Sequence, residues 1–274
     1  MGHLYYSTLS HRDTELFRGL MIRELKDFVQ SYIPLGSYIK HDFGYTNLLF
    51  TAPHGGGAKP FNIKDRTTGK RLQDTYTRRL TSKLVELMYN SPYYVVSDIH
   101  RKKVDLNRDL PEATDGDRKA QTVWYNYHNK VSLYKSEMLS LYRTGLLVDI
   151  HSHNNSDEFQ LGYNISARDY LALRLNKRMD IPSTLDSFTD RNYLWDMIFG
   201  YHSITNSIEK YGYKVFTPNT RDEFFNGGYT VERYAGEGLG SIQIEVPVSL
   251  LKYDLDGAAR VLKDSITIFS NKFM

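Results

Sequence analysis

Short apolar runs alternate along this chain with longer segments of helical period. Phe17, Leu20, Met21, Leu25, Phe28 and Val29 fall on one helical face, which predicts a first helix capped at Ser10 and stopped at Pro34. Leu48–Ala52 reads as a strand that runs out at Pro53-His54-Gly55-Gly56-Gly57. Leu80, Leu84, Leu87 and Met88 predict a helix over about Asp74–Met88. Tyr93–Ile99, Leu146–Ile150, Lys214–Phe216 and Ile242–Val246 read as further strands. A long polar helical stretch covers about Arg118–Tyr142, and a final helix carries Ala258, Val261, Leu262, Ile266 and Phe269 on one stripe. Strands apolar on both faces, alternating with helices, predict a three-layer α/β/α sandwich around a mainly parallel or mixed sheet.

No repeat, low-complexity tract or linker-like stretch interrupts the pattern. One domain is therefore expected over residues 1–274, with residues 1–46 a helical extension. Ligands of such sheets sit at the carboxyl ends of the strands. His54 follows the first strand, His100 and Arg101 follow the second, His151 and His153 end the third, and Glu245 lies near the end of the last. That convergence predicts a catalytic cleft.

Composition narrows the chemistry. The 274 residues contain no Cys, which excludes a disulfide scaffold, a thiolate metal site and a Cys nucleophile. Any metal must be held by His and carboxylates. Lys plus Arg number 35 against 32 Asp plus Glu, a formal +3 that argues against a strongly cationic nucleic-acid surface. No apolar run is long enough to cross a bilayer, and the first residues do not form a secretory signal, so a cytoplasmic location with no membrane partner is expected. The 22 Tyr and 13 Phe are more aromatics than a disordered chain carries.

Each polar cluster has a functional and a commonplace reading. The glycines after Pro53 let the backbone approach a ligand and let His54 project from a tight turn, or they form a surface loop. Asp149-Ile150-His151-Ser152-His153 places the acid and both imidazoles on one side of a strand, as metal ligands or as hydrogen-bonded histidines at a sheet edge. Asn107 and Arg108 offer an amide and a guanidinium to grip a carboxylate, with Asp105 orienting either, or they sit in a salt-bridged turn. Glu245, inside an apolar strand, needs a metal, a cation or a raised pKa, or it pairs with a nearby Arg. Asp222–Tyr229, with Gly227 and Gly228, reads as pocket wall or as an ordinary loop.

The ordered set APHGGG, KDRTTG, QDTYT, VDLNRD, VDIHSH, FNGGY and IQIEV resembles the N-formylglutamate amidohydrolase family, relatives of the carboxypeptidase-like zinc hydrolases. The resemblance spans about Asn47 to Leu251. It implies one zinc ion held by His54, Asp74 and His151. A carboxypeptidase-type ligand three residues after His54 is missing, because Gly57 stands there; Asp74, at the head of the next helix, takes that place. The resemblance further implies Glu245 as general base and acid, with Arg101 assisting. Asn107, Arg108, Gly227, Gly228 and His153 are the implied substrate contacts. The implied activity is hydrolysis of an N-acylated acidic amino acid. The same site in an open cleft would suit poly-γ-glutamate or a peptidoglycan-type peptide, and a protein that kept the fold without the chemistry would be a binding protein.

Overall fold

The computed structural model describes residues 34–187, 193–218 and 225–274, together with Glu15, Arg18, Leu20 and Met21, which are helical and exposed. The other positions of the expected first helix lie outside the described residues. Six strands form one mixed sheet: β1 (Ile39–Asp42), β2 (Leu48–Ala52), β3 (Tyr93–Ser97), β4 (Gly145–His153), β5 (Gln160–Gly162) and β6 (Leu239–Pro247). Their spatial order is β1-β3-β2-β4-β6-β5. The central four are parallel, and the two edge strands run antiparallel to their neighbours.

The helices are α1 (Thr77–Leu87), α2 (Leu110–Thr114), α3 (Arg118–Leu141), α4 (Ala167–Leu175), α5 (Leu194–Phe199), α6 (Ile204–Lys210), α7 (Tyr229–Tyr234), α8 (Val248–Tyr253) and α9 (Leu255–Phe273). Two cores result, one on each face of the sheet. Phe50, Val148, Ile150, Ile242 and Ile244 pack with Leu80 and Leu84 of α1 and with Ala258, Leu262, Ile266 and Phe269 of α9. Leu49, Val95 and Leu147 pack with Val123, Trp124, Tyr127, Val131 and Met138 of α3 and with Val231 of α7. This is the expected α/β/α sandwich. Side chains alternate along a strand, so the residues between the first-core positions, Asp149, His151, Gln243 and Glu245, all project on the α3 side.

Among the described residues no helix is long and apolar enough to cross a membrane. Lys214–Phe216 is not a strand: Val215 makes a single parallel bridge to Phe159 and the chain moves on. Strand β1 escaped the hydrophobic pattern because only Ile39 is buried on it. Strand β4 runs on from Ile150 to His153, so the two histidines stand at its end.

Helix α3 buries one imidazole. His128 lies under Trp124, with ring centroids 4.1 Å apart, and shares a 2.8 Å hydrogen bond with the Tyr234 hydroxyl. Burial, reinforced by Arg233, lowers its pKa from 6.5 to about 3. Below pH 6.5 the unfolded chain therefore takes up a proton that folded His128 refuses, and stability falls as pH drops. At pH 5 that loss is about 2 kcal/mol. Urea unfolding at pH 7 and pH 5 should show His128→Gln losing less than wild type by about this amount; equal losses would overturn the assignment.

Candidate active site

Beyond β2 the chain turns through Pro53–Gly57 and carries His54 into the interior, where it is 1 % exposed. The glycines make the turn possible by letting it touch protein, not a ligand. A Cβ on Gly56 would collide with the backbone of Asp98 and Ile99, and one on Gly55 would lie 2.5 Å from the Arg78 amide. Gly57 meets nothing closer than 3.9 Å. Asp74, just before α1, is fixed through its backbone: its N–H donates to the His54 carbonyl at 3.2 Å, and its own carbonyl accepts the Thr77 hydroxyl at 2.9 Å.

Both histidines are anchored through their outer nitrogens. His54 Nε2 donates to Asp105 Oδ1 at 2.6 Å, and His151 Nε2 donates to Asp149 Oδ2 at 2.9 Å. An ionised carboxylate only accepts, so each Nε2 carries a proton, and each Nδ1 would present its lone pair to a bound cation. These two Nδ1 atoms face each other at 3.3 Å, and Asp74 Oδ2 lies 3.3 Å from the first and 2.7 Å from the second. The three donor atoms lie within 4.8 Å of one another. Two nitrogens and one carboxylate oxygen, buried and converging, are a donor set that fits a divalent metal such as zinc.

Electrostatics agree with the geometry. Burial alone would lift the Asp74 carboxyl, but the charge on His54 and hydrogen bonds from both histidines hold it well below the usual carboxylate range. Burial would likewise lift Asp105, yet His54 and Arg101 keep it low. His151 goes the other way: burial opposes its charge, and Asp149 and Asp74 outweigh that and raise it well above 6.5. In the metal-free protein a proton bridges His151 and Asp74, and a bound cation would displace it.

Glu245 stands directly across from His151 in the β4–β6 ladder. Burial, helped by Asp74, pushes its carboxyl up; His151, His54 and the amide of Gln243, 3.2 Å away, oppose the rise. The side chain borders a cleft of about 770 Å³ that also exposes Asp74, Arg101, His153, Arg71 and Phe216. Arg101 Nε donates to Asp105 Oδ2 at 2.9 Å, and its Nη1 lies 3.6 Å from Asp74 Oδ1. His153 Nε2 donates to the Glu158 carbonyl at 2.9 Å.

Arg108, Gly227 and Gly228 lie off the cleft, and Asn107 lies behind His151, its Nδ2 3.4 Å from His151 Nε2. Asn107 Oδ1 accepts the backbone N–H and the hydroxyl of Thr230, at 2.7 and 2.9 Å, so this amide ties down the start of α7. The Arg108 guanidinium pairs with Glu112 at 3.0 Å and does not border the cleft. Gly227 and Gly228 also lie off the cleft; a Cβ on Gly228 would come within 2.6 Å of Asn107 Nδ2 and Gln243 Oε1. Asp105 orients His54 rather than Arg108, and it receives the Asn107 backbone N–H at 3.1 Å. Sequence reasoning missed Arg66 as an individual residue. It is fully buried, and its Nη1 reaches Asp105 Oδ2 at 3.4 Å and the Lys70 carbonyl at 3.0 Å. Its only signal was its place within the KDRTTG run.

No protein-family model matches this sequence, and no curated protein matches it. Solved structures do. An N-formylglutamate amidohydrolase from Ralstonia eutropha JMP134 superposes with a TM-score of 0.57 at 13 % identity, over 85 % of this chain and 96 % of that one. The gene product Atu2144 from Agrobacterium tumefaciens gives 0.58 at 15 % identity, over 86 % and 96 %. This chain shares their fold.

The anchoring carboxylates make the metal fit testable. In Asp149→Asn the amide can donate to His151 Nε2, which moves the ring proton to Nδ1 and removes a donor lone pair. Zinc affinity, measured by calorimetric titration, should fall about 10- to 100-fold, the usual size of such an effect. Unchanged affinity would mean that His151 Nδ1 holds no metal.

Proposed function

We propose that this chain is a zinc-dependent amidohydrolase that cleaves the amide of an N-acylated acidic amino acid of the N-formylglutamate kind. The observation that carries the reading is the convergence of His54 Nδ1, Asp74 Oδ2 and His151 Nδ1 beside Glu245 at the floor of an open cleft. The shared fold is compatible with it. Zinc bound by these three residues would supply Lewis acidity to the amide carbonyl and acidity to a water.

The chain's own residues do the rest. Glu245 takes the proton of the attacking water on its carboxylate. As the C–O bond forms and the C–N bond breaks, it passes that proton to the departing amine. Its raised pKa brings it nearer to neutrality, which suits a group that must both accept and release. Asp105 and Asp149 hold the two imidazoles in one tautomer, so neither ring turns during the reaction. Arg101 is fixed at the cleft floor between Asp105 and Asp74, and its guanidinium offsets negative charge that develops on the carbonyl oxygen. His153, on the wall, is kept neutral by its burial and serves as a substrate contact. With Asn107 engaged by Thr230 and Arg108 by Glu112, recognition of the substrate's carboxylate passes to cations inside the cleft.

Glu245→Gln should retain roughly one zinc per chain, the count for a single three-ligand site. Its kcat for formate release from N-formyl-L-glutamate should drop by about 10²–10⁴, the usual weight of a general base. A variant with near wild-type turnover would remove Glu245 from this role. Wild-type protein that binds no zinc after loading would favour a non-catalytic binding protein on the same fold.

A further inference from the structure

One wall of the cleft carries two cations that the bond-making and bond-breaking steps leave unused. Lys70, Arg71, Leu72 and Gln73 form this wall. The segment is tied down. The Lys70 carbonyl accepts from buried Arg66 at 3.0 Å, Arg71 Nη1 donates to the Arg66 carbonyl at 3.2 Å, and Gln73 Nε2 donates to the Gly55 carbonyl at 2.8 Å. Among the described residues neither Lys70 nor Arg71 meets a carboxylate, although most other cations near the site do. Arg71 therefore keeps most of its guanidinium N–H groups free beside the cleft.

The cleft is also large for its expected cargo. N-formylglutamate has about a dozen non-hydrogen atoms, whereas pockets of this volume hold drug-sized ligands. Among the described residues the rest of the lining carries amides and aromatic rings, including Gln160, Phe216 and Phe225, and its acids are Asp74 and Glu245 at the reacting centre and Glu158. A second acidic residue can extend from the scissile bond toward the two cations without meeting a row of like charges.

Building on the amidase reading, we infer that the substrate is an acidic chain longer than one residue, and that Arg71 and Lys70 pair with its carboxylates beyond the acylated residue. Arg71 takes a carboxylate in a two-point grip and Lys70 adds a point charge. Specificity for acidic substrates then resides on the loop that leads to Asp74, not on the Asn107–Arg108 turn.

The test uses zinc-loaded full-length protein with N-formylated α-linked and γ-linked glutamate oligomers of one to five residues. Turnover is measured with wild type, and binding by calorimetry with Glu245→Gln. Both kcat/KM and affinity should rise about tenfold between one and three residues, the combined weight of two partly screened charge contacts. The oligomer-to-monomer ratio should fall back in Arg71→Glu, recover in Arg71→Lys, and weaken with added salt in wild type. Whichever linkage shows the stronger rise identifies the chain. Values independent of length, or a ratio that neither Arg71 substitution nor salt alters, would overturn the proposal while leaving the amidase reading intact. Length-dependent binding with no hydrolysis of any oligomer would uphold the proposal and overturn the amidase reading.

Discussion

Two imidazoles are forced, deep inside the protein, to point their Nδ1 atoms at each other. Everything at the site follows from that constraint. Asp105 and Asp149 impose it by accepting the outer N–H of each ring, and the sheet supports it by placing Asp149 and His151 two residues apart on one strand face. Without a positive charge between them the arrangement is unfavourable, since buried polar atoms need partners. Asp74 supplies the anionic third corner, and a proton or a metal supplies the cation.

The supporting acids need support of their own. Asp105 receives His54, Arg101, Arg66 and the Asn107 amide, so a fully buried carboxylate is saturated with donors. Asp149 receives the Thr51 hydroxyl at 2.6 Å as well as His151. Such networks are stable only when complete. This explains why residues with no access to the cleft, such as Arg66 and Thr51, are nonetheless tied to the chemistry.

Much of this was legible in the sequence. Leu48–Ala52 and the last strand have patterns that burial on both faces dictates, the long helix after Asp117 has the pattern of a helix buried on one face, and His54 and His151 stand where parallel strands deliver their ends, whereas Asp74, before α1, was legible only through the resemblance. The illegible parts have physical causes. Edge strand β1 is short and half exposed and β5 is only three residues long, so hydrophobicity does not mark them. The Asn107–Arg108 pair looked like a substrate grip because its chemistry suits one. Sequence does not reveal that Thr230 and Glu112, far away and four residues on respectively, already occupy these groups. Lys70 and Arg71 went unnoticed because cations on a polar loop are usual; their meaning comes only from facing the cleft.

The β4–β6 ladder sets His151 opposite Glu245 through nine consecutive residue pairs. Side-chain direction reverses with every residue of a strand. An insertion of one residue just before Glu245 would turn its carboxylate to the other side of the sheet, among Leu80, Ile150 and Ile266. Laboratory evolution of this scaffold can therefore exchange exposed side chains on the cleft wall, but along these two strands it has to hold the residue count constant.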